Sequence, residues 1–406
     1  MERRELYMRI WKELAGEKSM IFMAGPRQSG KTTLAKLIAR SFSNSLYFNW
    51  DIPEHRTLLF KNPSFFETVE RNDSSIPLII LDEIHKYKDW KNYLKGTYDH
   101  FHKEYQFLVS GSGRLDIYRK GGDSLAGRYF LFHLWPLTVA ELGKCGRGIE
   151  DFSHDPLSLS MERHHQLKEM WSQLSRLSGF PEPYLSGKMT TYRRWSNSYA
   201  QQLIKEDIRN MTDIKSIGDI ETLYLLLPAK TGSPLSVPSL ARDLKASYNS
   251  VKNWLSVFER FFLIFSVYPW TAKIARAIQK ERKIYLWDYP RIAEPAARFE
   301  NMVAIELYRA ATAWNDMGYG LFSLHFIKNK EKQEVDFLIA RDRTPFLLIE
   351  SKLSDTQPSA ALTKFQSALR IPAVQLTDKG NSYRLLSNGD QKILIAPAYQ
   401  WLAQLP

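Results

Sequence analysis

Apolar positions along this chain fall into two rhythms, continuous runs and helical spacing, and their alternation predicts most of the architecture. "MIFMA" at 20–24 is an unbroken apolar run that stops at a glycine, and "TLAKLIARSF" resumes it with apolar residues at helical spacing, which predicts a strand, a loop and an amphipathic helix. Leu78 to Leu81 form a second unbroken run, the pattern of a strand buried on both faces. "SLYFNWD" at 45–51, "YQFLVSGSGRLD" and "RYFLFHLWPL" add strand-like runs, so the N-terminal third is expected to be α/β around a mainly parallel sheet.

The rhythm breaks at "GKCGRGIEDFSHDPLSLS", 143–160, rich in glycine, serine and proline, which marks an exit from the sheet. Helical patterns return in "HHQLKEMWSQLSRL", stop at "SGFPEPYLSG" and resume in "YRRWSNSYAQQLIKEDIRNM". "SVPSLARDLKASYNSVKNWLSVFERFFLIFSVY" then reads as a short helix, a turn near Ala246-Ser247, a second helix and a strand, which is winged-helix order. The C-terminal part starts with the helical "ARFENMVAIELYRAATAW" and continues with two alternating runs, "QEVDFLIA" and "PFLLIESK". Four segments are expected: 1–142, 143–229 as linker and helical lid, 230–283 as the winged-helix-like segment, and 284–406 as a second α/β domain.

Chemistry enters first at the glycine-bounded loop. Gly25-Pro26-Arg27-Gln28-Ser29-Gly30-Lys31-Thr32 fits G-x-x-x-x-G-K-[ST], and Thr33 follows on the helix. Its backbone amides and the helix N-terminus can cradle phosphates, Lys31 can reach the β- and γ-phosphates, and the Thr32 hydroxyl can ligate magnesium. Hydrolysis also needs carboxylates on a second strand. The run at Leu78–Leu81 delivers them: Asp82 is expected to hold magnesium through water, and Glu83 to act as general base for the attacking water. "FLVSGSG" offers Ser110 and Ser112 as sensors of phosphate or water, or as a plain turn. Arg128 in "LAGRYF" offers a guanidinium to phosphate, in cis or from a neighbouring subunit. Arg209 is left between a lid residue and an ordinary helix-surface pair. The strand-like run between the loop and Asp82 points to an additional-strand P-loop NTPase sheet.

"GPRQSGKTTLA", "LDEIHKYKDW", "SGSGRLD", "SLAGRYFLFHLWPLTVAEL", "SGFPEPYL", "YRRWSNSYAQQLIKEDIRNM" and "ARFENMVAIEL", in that order, resemble a family of prokaryotic AAA-like ATPases that join a P-loop domain to a C-terminal domain of unknown function. The resemblance implies ATP binding, hydrolysis and a winged-helix segment followed by a fold similar to PD-(D/E)XK nucleases. The chain departs from the family at "KIYLWDYPRI", where Tyr289-Pro290 replaces a small-residue turn after the aspartate.

Within that frame the alternating C-terminal runs acquire a role. Asp336 stands on one strand and Glu350-Ser351-Lys352 on the next, with Glu350 and Lys352 on one face. This is the order of a nuclease-type cluster: Asp336 and Glu350 as metal ligands, Glu300 as a further carboxylate, and Lys352 facing the water or the phosphate. A surface salt bridge is the plainer alternative for Glu350 and Lys352.

Charge adds a partner. The 406 residues carry a formal net charge of +12, and residues 230–283 hold ten Lys/Arg against three acids with Tyr248, Trp254 and Trp270 interspersed, which points to DNA. A homo-oligomer or a protein partner stays open. Cys145 is the only cysteine, which excludes an intrachain disulfide, and the nine histidines lack zinc-type spacing. "FFLIFSVYPW" is too short to span a bilayer, so no membrane association and a cytoplasmic location are expected. The reading is an ATPase using ATP and Mg2+ whose nucleotide state governs DNA engagement and cleavage, as in prokaryotic defence or DNA maintenance. Its rival is a nucleotide-driven switch or scaffold that binds protein through an inactive nuclease-like domain.

Overall fold

A computed structural model describes residues 4–111, 125–208, 217–271, 282–354, 357–380, 383–388 and 391–406. Ser112 and Arg209 therefore lie outside the described residues. The chain divides into two compact units, Met1–Pro136 and Leu137–Pro406.

The first unit is built on five parallel strands: β1 (Met20–Ala24), β2 (Ser45–Asn49), β3 (Leu78–Asp82), β4 (Gln106–Ser110) and β5 (Phe130–His133). Every residue of β1 and β3 is buried, as their unbroken apolar runs require. The spatial order is β2-β3-β4-β1-β5. A strand does lie between β1 and β3, as an additional-strand sheet requires, but it is not the one the sequence suggested. The strand inserted between β1 and β3 is β4, which follows both in sequence; β2, which lies between them in sequence, is the sheet edge. The α/β class with a parallel central sheet holds.

The second unit begins with helices. Thr138 caps the first of them, Val139–Gly143, accepting from the Glu141 amide, and longer ones follow at His164–Leu177 and Met189–Gln201. The latter puts Tyr192 and Ser196, one turn apart, onto the buried carboxylate of Asp288, where both hydroxyls donate. The departure at Tyr289-Pro290 is a short 3-10 turn, Tyr289–Arg291, directly after Asp288. A helix–turn–helix, Val237–Asp243 and Tyr248–Arg260, then leads into strands β6 (Ile264–Pro269) and β7 (Lys283–Leu286), which pair antiparallel.

These strands do not close a separate domain. They form one end of an eight-stranded mixed sheet with β8 (Phe322–Lys328), β9 (Glu334–Arg341), β10 (Thr344–Lys352), β11 (Ala373–Thr377), β12 (Arg384–Asn388) and β13 (Gln391–Pro397), in the order β12-β13-β11-β10-β9-β8-β6-β7. The helix Pro295–Asp316, with proline in its first turn and the Glu294 carboxylate accepting from two of its first amides, packs on this sheet.

One irregularity in the sheet matters for chemistry. β9 and β10 pair as Thr344↔Arg341, but the register slips by one residue between Pro345 and Leu347, so that Leu347 faces Ile339 and Ile349 faces Phe337. One position further along, Glu350 falls opposite Asp336. Without the slip Glu350 would sit opposite Val335, and the two carboxylates would project from opposite faces.

Candidate functional site

The phosphate loop leaves β1 at its C-terminal end and enters the helix Lys31–Ala39. Gly25 adopts φ +153, and a Cβ there would lie 2.2 Å from the Leu134 carbonyl oxygen, so only glycine lets the loop cross β5 so closely. Gly30 and Gln28 also take positive φ, which curls the loop from Gly25 through Pro26, Arg27, Gln28 and Ser29 to Gly30. Lys31 is buried, and its ammonium donates to the carbonyls of Gly25 at 3.1 Å and Pro26 at 2.6 Å. Burial pushes its pKa down to about 8, against the pull of Glu83 and Asp82.

Asp82, at the end of β3, is only 1% exposed, and its two oxygens are oriented by hydroxyl donors. Thr32 Oγ1 and Tyr47 OH each donate to Oδ2 at 2.8 Å, and Ser110 Oγ donates to Oδ1. Ser110 thus acts on the carboxylate, one step removed from any phosphate. Glu83 follows with φ +57, a left-handed conformation that is uncommon for a residue with a side chain. Its Oε2 lies 3.2 Å from Lys86 Nζ and 3.6 Å from His85 Nε2. Thr33 is exposed on the helix beside Thr32. The structure therefore brings Lys31, Thr32, Asp82 and Glu83 to one edge of the sheet.

Two residues at this edge escaped the sequence. Tyr47 could have been found, because it alternates with Asn49 on β2 and β2 runs parallel to β3. Arg4 carries no local signal: its buried guanidinium donates to the carbonyls of Ser29 at 2.6 Å and Trp135 at 2.8 Å, tying the phosphate loop to the strand beside it.

Arg128 is not at this edge. It precedes β5, and β5 runs parallel to β1 with Ile21 beside Phe130 and Ala24 beside His133, so Arg128 sits where the strands begin and the phosphate loop where they end. Five residues of β1 separate the two edges, roughly 16 Å. Its guanidinium is engaged by Asp99 through Nε at 2.6 Å and Nη2 at 3.0 Å. Action on phosphate in cis is therefore corrected.

In the second unit the helix Pro295–Asp316, β9 and β10 bring Glu300, Asp336, Glu350 and Lys352 together, and add Glu334 and, from β7, Lys283 and Tyr285. Lys352 Nζ meets Glu350 Oε1 at 2.8 Å. The Ser351 amide and hydroxyl donate to Asp336 Oδ2 at 2.9 and 2.7 Å, and the Asp336 amide donates to Glu350 Oε2 at 3.3 Å. Tyr285 donates to Glu300 Oε1 at 2.7 Å. Burial and the neighbouring Asp336 push Glu300 up to about 7, against Lys283, and push Glu350 up as well, against Lys352. Lys283 is itself 1% exposed; burial works against its charge, but Glu300, Asp336 and Glu334 outweigh it and raise its pKa.

A divalent ion fits this cluster poorly. Magnesium needs about six oxygens around it, whereas the oxygens of Asp336, Glu350 and Glu334 already face Ser351, Lys352, Lys283 and Lys328. Among the described residues no group of three or more His, Cys, Asp or Glu is placed to hold a metal. Lys283 escaped the sequence reading, although it shares a face of β7 with Tyr285 by simple alternation.

The helix Tyr248–Arg260 exposes Tyr248, Lys252, Asn253 and Arg260, while Val251, Trp254, Leu255 and Phe258 are buried. Trp254 is thus a core residue and unavailable to nucleic acid. Trp270 is partly buried against the core that contains Val335, Leu338 and Leu348. No helix among the described residues is long and apolar enough to cross a membrane.

Three family models match successive parts of the chain. Residues 17–143 match the model of an AAA domain, residues 168–289 that of a domain of unknown function (DUF8612), and residues 296–398 that of another (DUF4143). The N-terminal region is AAA-like, and that similarity supports nucleotide binding and hydrolysis. Uncharacterized protein Rv2008c of Mycobacterium tuberculosis is 23% identical, over 71% of this chain and 58% of that protein. Uncharacterized protein MJ1637 of Methanocaldococcus jannaschii is 22% identical, over 68% of this chain and 62% of its own length. The chain thus spans about three-fifths of the length of these curated relatives. Among solved structures, the Walker-type ATPase PABY2304 of Pyrococcus abyssi is 14% identical, covers 72% of this chain and 95% of its own, and has a TM-score of 0.43, a likeness too slight to bear on mechanism.

Proposed function

We propose that this protein binds and hydrolyses ATP at the edge formed by the phosphate loop and Asp82-Glu83, and that its nucleotide state governs binding of DNA by the basic segment 230–283. The observation that carries the first half is the Thr32–Asp82 contact. A hydroxyl from the phosphate loop and a buried carboxylate from β3 lie 2.8 Å apart, a pair of hard oxygen donors that suits magnesium. Thr32 would hold the ion directly and Asp82 through water, and the ion would supply charge neutralisation at the phosphates. Lys31 contributes the ammonium for the β- and γ-phosphates, and Glu83 accepts the proton of the attacking water.

DNA binding is supported by the excess of positive charge that remains in 230–283 once the buried Lys283 is set aside, and by the exposed Arg242, Lys245, Lys252 and Arg260 on and between its two helices. Cleavage receives less support, because the C-terminal acids meet cations supplied by the chain itself; the second unit is read as a binding element.

The test is ATP turnover in magnesium, with and without duplex DNA, for the full chain and for Lys31→Ala. Turnover that vanishes in Lys31→Ala and changes with DNA supports the whole proposal. Turnover indifferent to DNA, together with no DNA binding at low salt, removes the DNA half and favours a protein partner.

A further inference from the structure

We infer that Lys283 is the resident cation of the C-terminal carboxylate cluster, filling the position that the acids would otherwise offer to a divalent metal. The inference rests on the second unit alone and is independent of the nucleotide site.

Lys283 opens β7, and its ammonium lies 2.7 Å from Glu334 Oε1, 3.1 Å from Glu300 Oε1 and 3.8 Å from Asp336 Oδ1. These acids come from β9 and from the helix Pro295–Asp316, so one cation joins three elements. The ammonium also lies 5.5 Å from the centre of the Phe326 ring, whose face favours a cation. A lysine so fully buried is tolerated only where carboxylates surround it.

Its backbone gives it little freedom to leave. Lys283 pairs with Val267 on β6 and bridges to Pro234. Three residues on, Leu286 is clamped by the Asn301 side chain, which accepts from its amide and donates to its carbonyl, both at 2.8 Å. Glu300 and Asn301 are neighbours on the helix, so the same turn grips β7 at Lys283, Tyr285 and Leu286. Gly232 completes the enclosure: its φ is +77, and a Cβ there would approach Glu300 Oε2 to 3.1 Å.

The remaining acid is equally committed. Glu350 faces Lys352 and the Asp336 amide, so a metal that used it would have to compete with both. The cluster is therefore a charge lock between the strand pair after the helix–turn–helix and the C-terminal sheet. Loss of one lysine should turn it into a vacant acidic pocket.

The experiment is titration of the nucleotide-free full chain with Mn2+, read by electron paramagnetic resonance of the free ion. Uptake at the Asp82 edge is common to all the variants, so the readout is the uptake that Asp336→Asn removes. The wild type is expected to show none of it at millimolar Mn2+. Lys283→Ala, which vacates the position that a methionine would fill, is expected to gain one equivalent, and the double variant Lys283→Ala/Asp336→Asn to lose it. Stoichiometric uptake by the wild type that disappears in Asp336→Asn would overturn the inference, and so would a folded Lys283→Ala that gains no Mn2+. Should Lys283→Ala not fold, Lys283→Ala/Glu300→Gln, with one fewer uncompensated charge, is read in the same way, and the wild-type titration decides independently.

Discussion

Asp82 and Asp336 each stand on a strand beside a second acid, Glu83 in one case and Glu350 in the other, yet their surroundings differ in kind. Asp82 is oriented by the hydroxyls of Thr32, Tyr47 and Ser110, donors that fix its geometry without cancelling its charge. Asp336 also takes neutral donors, the Ser351 amide and hydroxyl on Oδ2, but Lys283 stands 3.8 Å from its Oδ1, and the acids around it, Glu300, Glu334 and Glu350, each face Lys283, Lys328 or Lys352. A carboxylate held by neutral donors alone keeps its affinity for an external cation, whereas one inside a net of internal ion pairs has exchanged much of that affinity for structure. The two carboxylate pairs thus differ in what they offer an external cation: the pair at Asp82 fits the proposed nucleotide site, and the pair at Asp336 the inferred lock.

The sharpest way to break this comparison is at the nucleotide edge. Glu83→Gln is expected to keep ATP binding and to slow turnover by roughly a hundredfold or more, the scale of losing a general base. Nucleotide affinity and single-turnover hydrolysis measured on the same protein check it, and normal turnover would remove Glu83 from that role.

At the lock, stability replaces turnover as the readout. Lys283→Met leaves Glu300, Glu334 and Asp336 around an uncharged side chain and is expected to cost about 3–5 kcal/mol. Lys352, whose side chain is 34% exposed, is expected to cost about 1 kcal/mol or less when replaced by Met. Denaturant midpoints of the two variants decide it. Equal effects would mean that Lys283 holds the cluster no more than the half-buried Lys352 does.

A third prediction uses pH. Lys31, with its pKa near 8, is an ammonium in both free and nucleotide-bound protein at neutral pH, and affinity should be flat there. Above about 8 the free protein holds it neutral while the phosphates demand it charged, so binding takes up a proton. Affinity is then expected to fall about tenfold per pH unit. Calorimetric titration in buffers of different ionisation enthalpy detects both the loss and the proton.

What the sequence disclosed follows the same divide. The phosphate loop is written in eight consecutive residues and the strand of Asp82 in four apolar ones, so local pattern sufficed. The C-terminal cluster is assembled from β7, a helix and two strands, and its alignment depends on a register slip between Pro345 and Leu347 that no propensity announces. Lys283 was hidden for that reason. The cis reading of Arg128 failed on different grounds: a guanidinium beside small residues says nothing about sheet edges, whereas the rule that parallel strands all start at one edge does, and it puts a residue preceding β5 far from the loop. Trp254 could have been recognised as core, because it shares a helical face with Val251, Leu255 and Phe258.

The smallest expected effect concerns Tyr47. Its hydroxyl donates to the same oxygen of Asp82 as Thr32 does and accepts from Asn49 Nδ2 at 3.2 Å, while Lys36 lies over its ring. Its contacts give it a positioning role, aiming the carboxylate. Tyr47→Phe keeps the ring, its packing and the lysine above it, and removes one of three donors, a loss of about 1 kcal/mol and hence roughly fivefold in rate. The drop should appear as a shift of the magnesium titration to higher concentration, with ATP affinity in the absence of metal unchanged, because Lys31 and the loop amides are untouched. A merely structural tyrosine would instead lower the denaturation midpoint and leave the magnesium titration where it was.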